Sequence, residues 1–226
     1  MRTGATLLRV PCAALALLAW LPAGVGAQAP GGAQAATALM ETASARYREA
    51  SSLCADFTQH LSVPLLGDER TGRGRLCQQR PDRFAMRFTD PAGDAVVVDG
   101  TWVWVYYPSM DARQVLRFPM AATPGGFDFH REFLEDWASK YRVTLEGAET
   151  VAGHPTQRLR LVPKAGATYQ AAVVWIDAGG LLRQVRVEEE NGSVRTVTLT
   201  SVEMGATPPA GWFTFTPPRG AQVIGG

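Results

Sequence analysis

Apolar positions along the chain recur first at steps of three and four, then at steps of two. Leu39, Ala43, Tyr47, Ala50, Cys54, Phe57 and Leu61 form one stripe at helical spacing, while Arg46, Arg48, Glu49 and Asp56 fall off it. That pattern predicts one amphipathic helix through this whole segment, with Cys54 on its buried side. Residues 28–36, "QAPGGAQAA", show no period and read as a flexible lead-in. Beyond Pro64 and Gly67 the pattern becomes that of strands. "RTGRGRLCQQ" leads into "RPDRFAMRF", where Phe84, Met86 and Phe88 share one face and Pro81 interrupts the ladder. "AVVVDGTWVWVYYP" reads as a hairpin turning at Asp99-Gly100, and "ARQVLRF" as a short strand before Pro119. "TQRLRLVP" alternates, with Leu159 and Leu161 opposed by Arg158 and Arg160. Three more strands follow, joined at Ala178-Gly179-Gly180 and Asn191-Gly192.

One stretch breaks the strand series. In "TPGGFDFHREFLEDWASKY" the residues Phe129, Phe133, Leu134 and Trp137 have helical spacing after Gly125-Gly126, which predicts a short amphipathic helix. About ten or eleven strands with an N-terminal and a mid-chain helix imply a mainly β domain. Its form is a large, strongly curved antiparallel sheet wrapped round helices.

The first 27 residues modify this picture. Arg2 and Arg9 precede the apolar run "VPCAALALLAWLPAGVGA", which ends in the small residues Val25-Gly26-Ala27. This is the pattern of a secretory signal cleaved after Ala27. Arg9-Val10-Pro11 ahead of Cys12 lacks the small-residue box of a lipid-modified cysteine, so the expected product is a freely soluble exported protein. Residues 28–226 then make a single domain, since 199 residues suffice for one well-buried core and are few for two. The mature chain carries 20 basic against 21 acidic side chains. That balance argues against nucleic acid as a partner and against a polybasic membrane patch.

Cys54 and Cys77 remain after cleavage. An oxidising compartment favours a disulfide between them, with two free thiols as the alternative. Neither Cys-x-x-Cys nor ligand-like spacing round His60, His130 or His154 is present, so neither a metal nor an organic cofactor is expected. Catalytic signatures are also missing: no Gly-x-Ser-x-Gly, no His-Glu-x-x-His and no phosphate-cradling glycine loop. Ser193 sits in a hairpin turn, Glu188-Glu189-Glu190 reads as a solvated strand end, and His154 precedes Pro155 in a turn. The chain does not read as an enzyme.

Apolar surface is the more informative feature. Trp102, Val103, Trp104, Val105, Tyr106 and Tyr107 are bulky on both faces of one strand, where a half-buried sheet would alternate. Arg80 heads the Phe84-Met86-Phe88 face, and a guanidinium among apolar groups is costly unless its donors are paired. Together these favour an apolar cavity that opens and closes over a packed core alone.

"GRLCQQRPDRFAMRF", "VVVDGTWVWVYYP" and "FTFTPPRGAQV" resemble, in order and spacing, the periplasmic outer-membrane lipoprotein carrier (LolA) family, and Phe57, Thr58 and Gln59 echo its Phe-x-Gln. The resemblance extends from about residue 38 to residue 224. It implies an unclosed antiparallel barrel with a lid of helices over a cavity for lipoprotein acyl chains. By that resemblance Arg80 hydrogen-bonds lid backbone and holds the empty cavity closed. Phe84 lies at the cavity rim, and Trp104 matches the tryptophan after Asp-Gly. Met86, Phe88, Trp102 and Tyr106 are expected beside them as ligand-binding residues, and Phe129, Phe133, Leu134 and Trp137 in the lid. The implied partners are acylated lipoproteins as cargo, an inner-membrane ABC transporter (LolCDE-like) as donor and an outer-membrane acceptor (LolB-like). The implied setting is a monomer in the periplasm. Cys54, Cys77 and residues 119–140 depart from the family pattern, which leaves a lipid-sensing or glycolipid-binding open barrel as the alternative.

Overall fold

A computed structural model describes residues 31–122 and 128–225. The expected signal segment and Gly125-Gly126 lie outside the described residues.

Helix α1 spans Gly32–Glu49 and buries Ala36, Met40, Ala43 and Tyr47. It starts inside the segment read as a lead-in, because Ala33, Ala35, Ala36 and Ala38 are strong helix formers and Ala36 packs into the core. The helix does not run on to Leu61. Ala50 turns to extended backbone, and β1 covers Ser52–Val63. The stripe of threes and fours misled because β1 is covered on both faces near its start. Leu53, Ala55 and Phe57 point one way and Cys54 the other, all buried, so the period of two is hidden.

The remaining strands are β2 Asp68–Gln79, β3 Arg83–Asp90, β4 Ala92–Asp99, β5 Trp102–Tyr106, β6 Gln114–Pro119, β7 Tyr141–Val151, β8 His154–Pro163, β9 Tyr169–Asp177, β10 Leu182–Glu189, β11 Val194–Met204 and β12 Gln222–Ile224. Short helices lie between them: α2 Pro108–Asp111, α3 Phe129–Leu134 and α4 Trp137–Lys140. All strands join one sheet, ordered β12-β6-β5-β4-β3-β2-β1-β11-β10-β9-β8-β7. Neighbours are antiparallel except β12, which pairs parallel with β6. The sheet is unclosed, as expected, with β7 and β12 as its edges. Gly100, with φ 98°, makes the β4–β5 turn, and Gly192, with φ 80°, the β10–β11 turn.

The mid-chain helix is two helices. Asp128 caps α3 by accepting from the His130 and Arg131 amides at 3.1 Å, but Glu135 is extended and Asp136 left-handed, which ends the helix before Trp137.

Cys54 and Cys77 form a disulfide across directly paired positions of β1 and β2. It ties strand to strand, not helix to strand, since Cys54 is on β1. The bridge closes a sequence separation of 23, for which chain entropy gives about 3 kcal/mol. Ladder pairing of β1 with β2 continues from Ser52 to Val63 without the bridge. Reduction is therefore expected to lower the melting temperature while the β circular dichroism at ambient temperature persists. Loss of that signal on reduction, or an unmoved melting temperature, would contradict this.

Candidate functional site

Register sets which side chains share a face. Leu76, Met86, Val96 and Val105 lie opposite one another across β2 to β5, and Gln78, Phe84, Val98 and Val103 form the adjoining row. With Leu53, Ala55, Phe57 and Phe88 these residues belong to the main core, which α1 and α3 join through Met40, Ala43, Tyr47, Phe129, Phe133 and Leu134. Trp137 packs against it partly buried. Both helices therefore lie over an apolar sheet face, and Phe84, Met86 and Phe88 are on that helix-covered side.

Trp102, Trp104 and Tyr106 are not. Ala85, Val97 and Trp104 form the opposite row, continuous with the disulfide. There the C-terminal segment packs through Trp212, Phe213 and Phe215. Trp104 donates its indole N–H to Asp99 Oδ2 at 2.8 Å, and both Trp104 and Tyr106 contact the Phe215 ring at 5.7 Å. The Arg117 guanidinium stacks over Trp102 at 4.2 Å. The expectation that these three residues share a pocket with Phe84 is corrected. A strand bulky on both faces is here covered on both faces, by helices on one side and by the chain's own tail on the other.

Arg80 follows β2 and reaches the two helices. Its Nε and Nη2 donate to the Tyr47 carbonyl at 3.3 and 3.1 Å, and Nη1 to Glu135 Oε1 at 2.9 Å. The Tyr47 carbonyl belongs to the last turn of α1, where backbone acceptors lack helical partners and a cation is favoured. One guanidinium thus joins the end of α1 to the residue after α3. Glu135 also faces Arg131 at 3.7 Å. A second polar fastening holds α3 from the far side. Tyr141 and Tyr169 both donate to Glu132 Oε1 at 2.6 Å, and Lys140 Nζ donates to the Glu132 carbonyl at 2.9 Å. Burial, then the Glu132 carboxylate, pushes both phenols well above their ordinary pKa.

His130 is the residue sequence reasoning passed over. Its ring is buried against Tyr47, centroids 4.0 Å apart, and neither ring nitrogen makes a hydrogen bond among the described residues. Desolvation, with the Arg80 charge adding to it, pushes the imidazole down to about 3. Asp128, 3.9 Å from Nδ1, is pushed up to about 6 by burial, against the two amides it caps. The signs oppose. A lowered imidazole stabilises the folded state above its free value of about 6.5 and loses that stability as pH falls towards 3. A raised carboxyl adds stability as pH falls from 6 towards its free value of about 4. Between these limits the two cancel, and wild-type stability is expected to be flat. His130→Phe is expected to melt higher as pH falls from 6 to about 4, and Asp128→Asn to melt lower as pH falls from about 6.5. Parallel melting-temperature profiles for all three proteins would refute this assignment.

No sequence signal marked Glu132, Glu135, Tyr141 or Tyr169, since each has the spacing of an ordinary surface or strand residue. Among the described residues no group of three His, Cys, Asp or Glu could hold a metal ion, and no helix is long and apolar enough to cross a membrane.

The model for the family "outer membrane lipoprotein carrier protein LolA" matches residues 48–216. An outer-membrane lipoprotein carrier protein of Pectobacterium atrosepticum is 27% identical over 182 residues, covering 79% of this chain and 83% of that one. One from Vibrio parahaemolyticus is 29% identical over 171 residues, covering 75% and 77%. The crystal structure of an uncharacterized conserved protein from Thermus thermophilus superposes with a TM-score of 0.52 at 15% identity, covering 85% of this chain and 99% of that one. That last likeness concerns the fold alone.

Proposed function

The chain belongs to the outer-membrane lipoprotein carrier (LolA) family, and on that premise we propose that it carries lipoprotein acyl chains through the periplasm, from inner to outer membrane. The chains occupy the sheet face lined by Phe84, Met86 and Phe88, entering as α1 and α3 lift from it. The observation that carries this reading is the contrast between an apolar face beneath the helices and a polar fastening, Arg80 to Tyr47 and Glu135, at their edge.

Physics supports that combination in a carrier. Each buried methylene contributes about 0.8 kcal/mol, so two long chains bind tightly even when partly covered. Tight binding alone would prevent delivery. If loading must break the Arg80 contacts, their cost is subtracted from the affinity, and closure favours release. Arg80 is then a latch and the phenylalanine face a wall. An inner-membrane ABC transporter is the proposed donor and an outer-membrane receptor the proposed acceptor. The protein acts by binding and hand-over, with no chemical step.

The test adds purified mature protein to inner-membrane vesicles that hold labelled lipoprotein, with transporter and ATP present. Labelled lipoprotein is expected in the supernatant, comigrating with the carrier. Label that stays with the vesicles at every carrier concentration would refute the proposal.

A further inference from the structure

α1 and α3 are fastened to different parts of the sheet. Arg46 of α1 donates to the Gly179 carbonyl at 3.1 Å, and the Tyr47 hydroxyl accepts from the Leu182 amide at 3.2 Å, so the end of α1 is held at the β9–β10 turn. α3 is held by Tyr141 of β7 and Tyr169 of β9 through Glu132. Among the described residues no hydrogen bond runs directly from one helix to the other, and Arg80 bridges them from the end of β2. What meets across the seam is ring against ring: Tyr47 and His130, centroids 4.0 Å apart and tilted by 36°.

His130 fits that place poorly. Its side chain is 2% exposed, and both ring nitrogens are buried without a hydrogen bond among the described residues. The groups that face it offer none. Tyr47 presents its ring, with its hydroxyl engaged at Leu182 and its carbonyl at Arg80. Asp128 stands 3.9 Å from Nδ1, too far for a hydrogen bond, and is engaged by the two amides that it caps. The Arg80 guanidinium is turned to Tyr47 and Glu135. A phenylalanine would fill the same space without leaving a donor and an acceptor unsatisfied. In the closed arrangement the imidazole therefore costs stability, and that cost ends once water reaches the ring.

We propose that the lid opens along the seam between α1 and α3, and that His130 is the counterweight to Arg80, its hydration on opening offsetting part of the contacts that opening breaks. This rests on the acyl-carrier reading and deepens it, since it names the contact that parts when cargo enters. Arg80 closes the seam and His130 favours its opening. The balance between holding and releasing is then set by two side chains that meet at Tyr47.

Two measurements test this at about pH 8, where the imidazole is neutral whether buried or exposed and Asp128 is ionised. The first is the affinity of the mature protein for cis-parinaric acid, a fluorescent fatty acid. His130→Phe is expected to bind it about tenfold more weakly than wild type, opposite in sign to Arg80→Leu, and to melt no lower. The second uses wild type alone: acylation of histidines by diethyl pyrocarbonate, mapped by peptide mass spectrometry, with exposed His154 as the internal reference. His130 is expected to be protected in the empty protein and to react at a rate nearing that of His154 when the probe is saturating. Unchanged affinity in His130→Phe, or a His130 still protected in the loaded protein, would mean that the helices lift together. Either result overturns the seam and leaves the carrier reading standing. A lower melting temperature in His130→Phe would show that the buried imidazole is no cost and overturn the counterweight. Failure of folded wild type to bind the probe overturns the carrier reading, and this inference with it.

Discussion

Arg80→Leu is expected to bind an acyl probe about ten- to a hundredfold more tightly than wild type and to surrender it correspondingly more slowly. The change removes the donors to the Tyr47 carbonyl and Glu135 while leaving Phe84, Met86 and Phe88 in place. A hydrogen bond from a charged donor contributes about 1.5 to 3 kcal/mol, and about 1.4 kcal/mol is a factor of ten in affinity. Arg80 is about one-third exposed, as is Glu135, so solvent screens their ion pair and the backbone bonds are the larger part. Glu135→Gln should therefore shift affinity in the same direction by less. An arginine serving only to stabilise the fold would behave otherwise: its loss would lower the melting temperature and leave loading and release in their wild-type ratio. Probe affinity and transfer rate measured side by side separate the two cases.

The second large effect is a difference between the two faces of the sheet. Phe84→Ala is expected to weaken acyl-probe binding by about tenfold or more, because it strips an aromatic wall from the helix-covered side. Trp104→Ala opens a hole beneath Phe215 on the other side and is expected to leave probe affinity unchanged while lowering stability. Phe84→Ala should also destabilise, by about 3 to 5 kcal/mol for a fully buried ring. Affinity is therefore compared at a temperature where both variants are folded. Equal loss of binding in both variants would contradict the assignment of faces.

Much of the sheet was legible because local chemistry sets its turns. Asp99-Gly100 and Asn191-Gly192 carry their hairpins without help from the rest of the chain, and alternation in β8 is plain because only one of its faces is strongly apolar. Where both faces are covered, the signal fails. Cys54 and Phe57 lie on opposite sides of β1, yet in sequence they extend a helical stripe that ends at Ala50. Likewise Trp104 and Tyr106 gave no hint of which side they took, since their cover is Phe215 of a tail more than a hundred positions away. β7 escaped notice because Gly147, Ala148 and Glu149 break its alternation after Leu145, where the register with β8 shifts. Arg80 was legible through a motif, but its acceptors were not. A helix-end carbonyl leaves no trace in side-chain identity, and Glu135 looks like any surface carboxylate until the chain brings α3 across to α1.

The central claim is that the apolar face beneath α1 and α3 carries acyl chains. Mass spectrometry of the protein purified without detergent from its own envelope tests it most directly. Arg80→Leu, which should load without delivering, is expected to come away with bound acylated peptide or lipoprotein, and wild type with less of the same cargo. Both proteins emerging at the bare mature mass from an envelope rich in lipoproteins would contradict the claim.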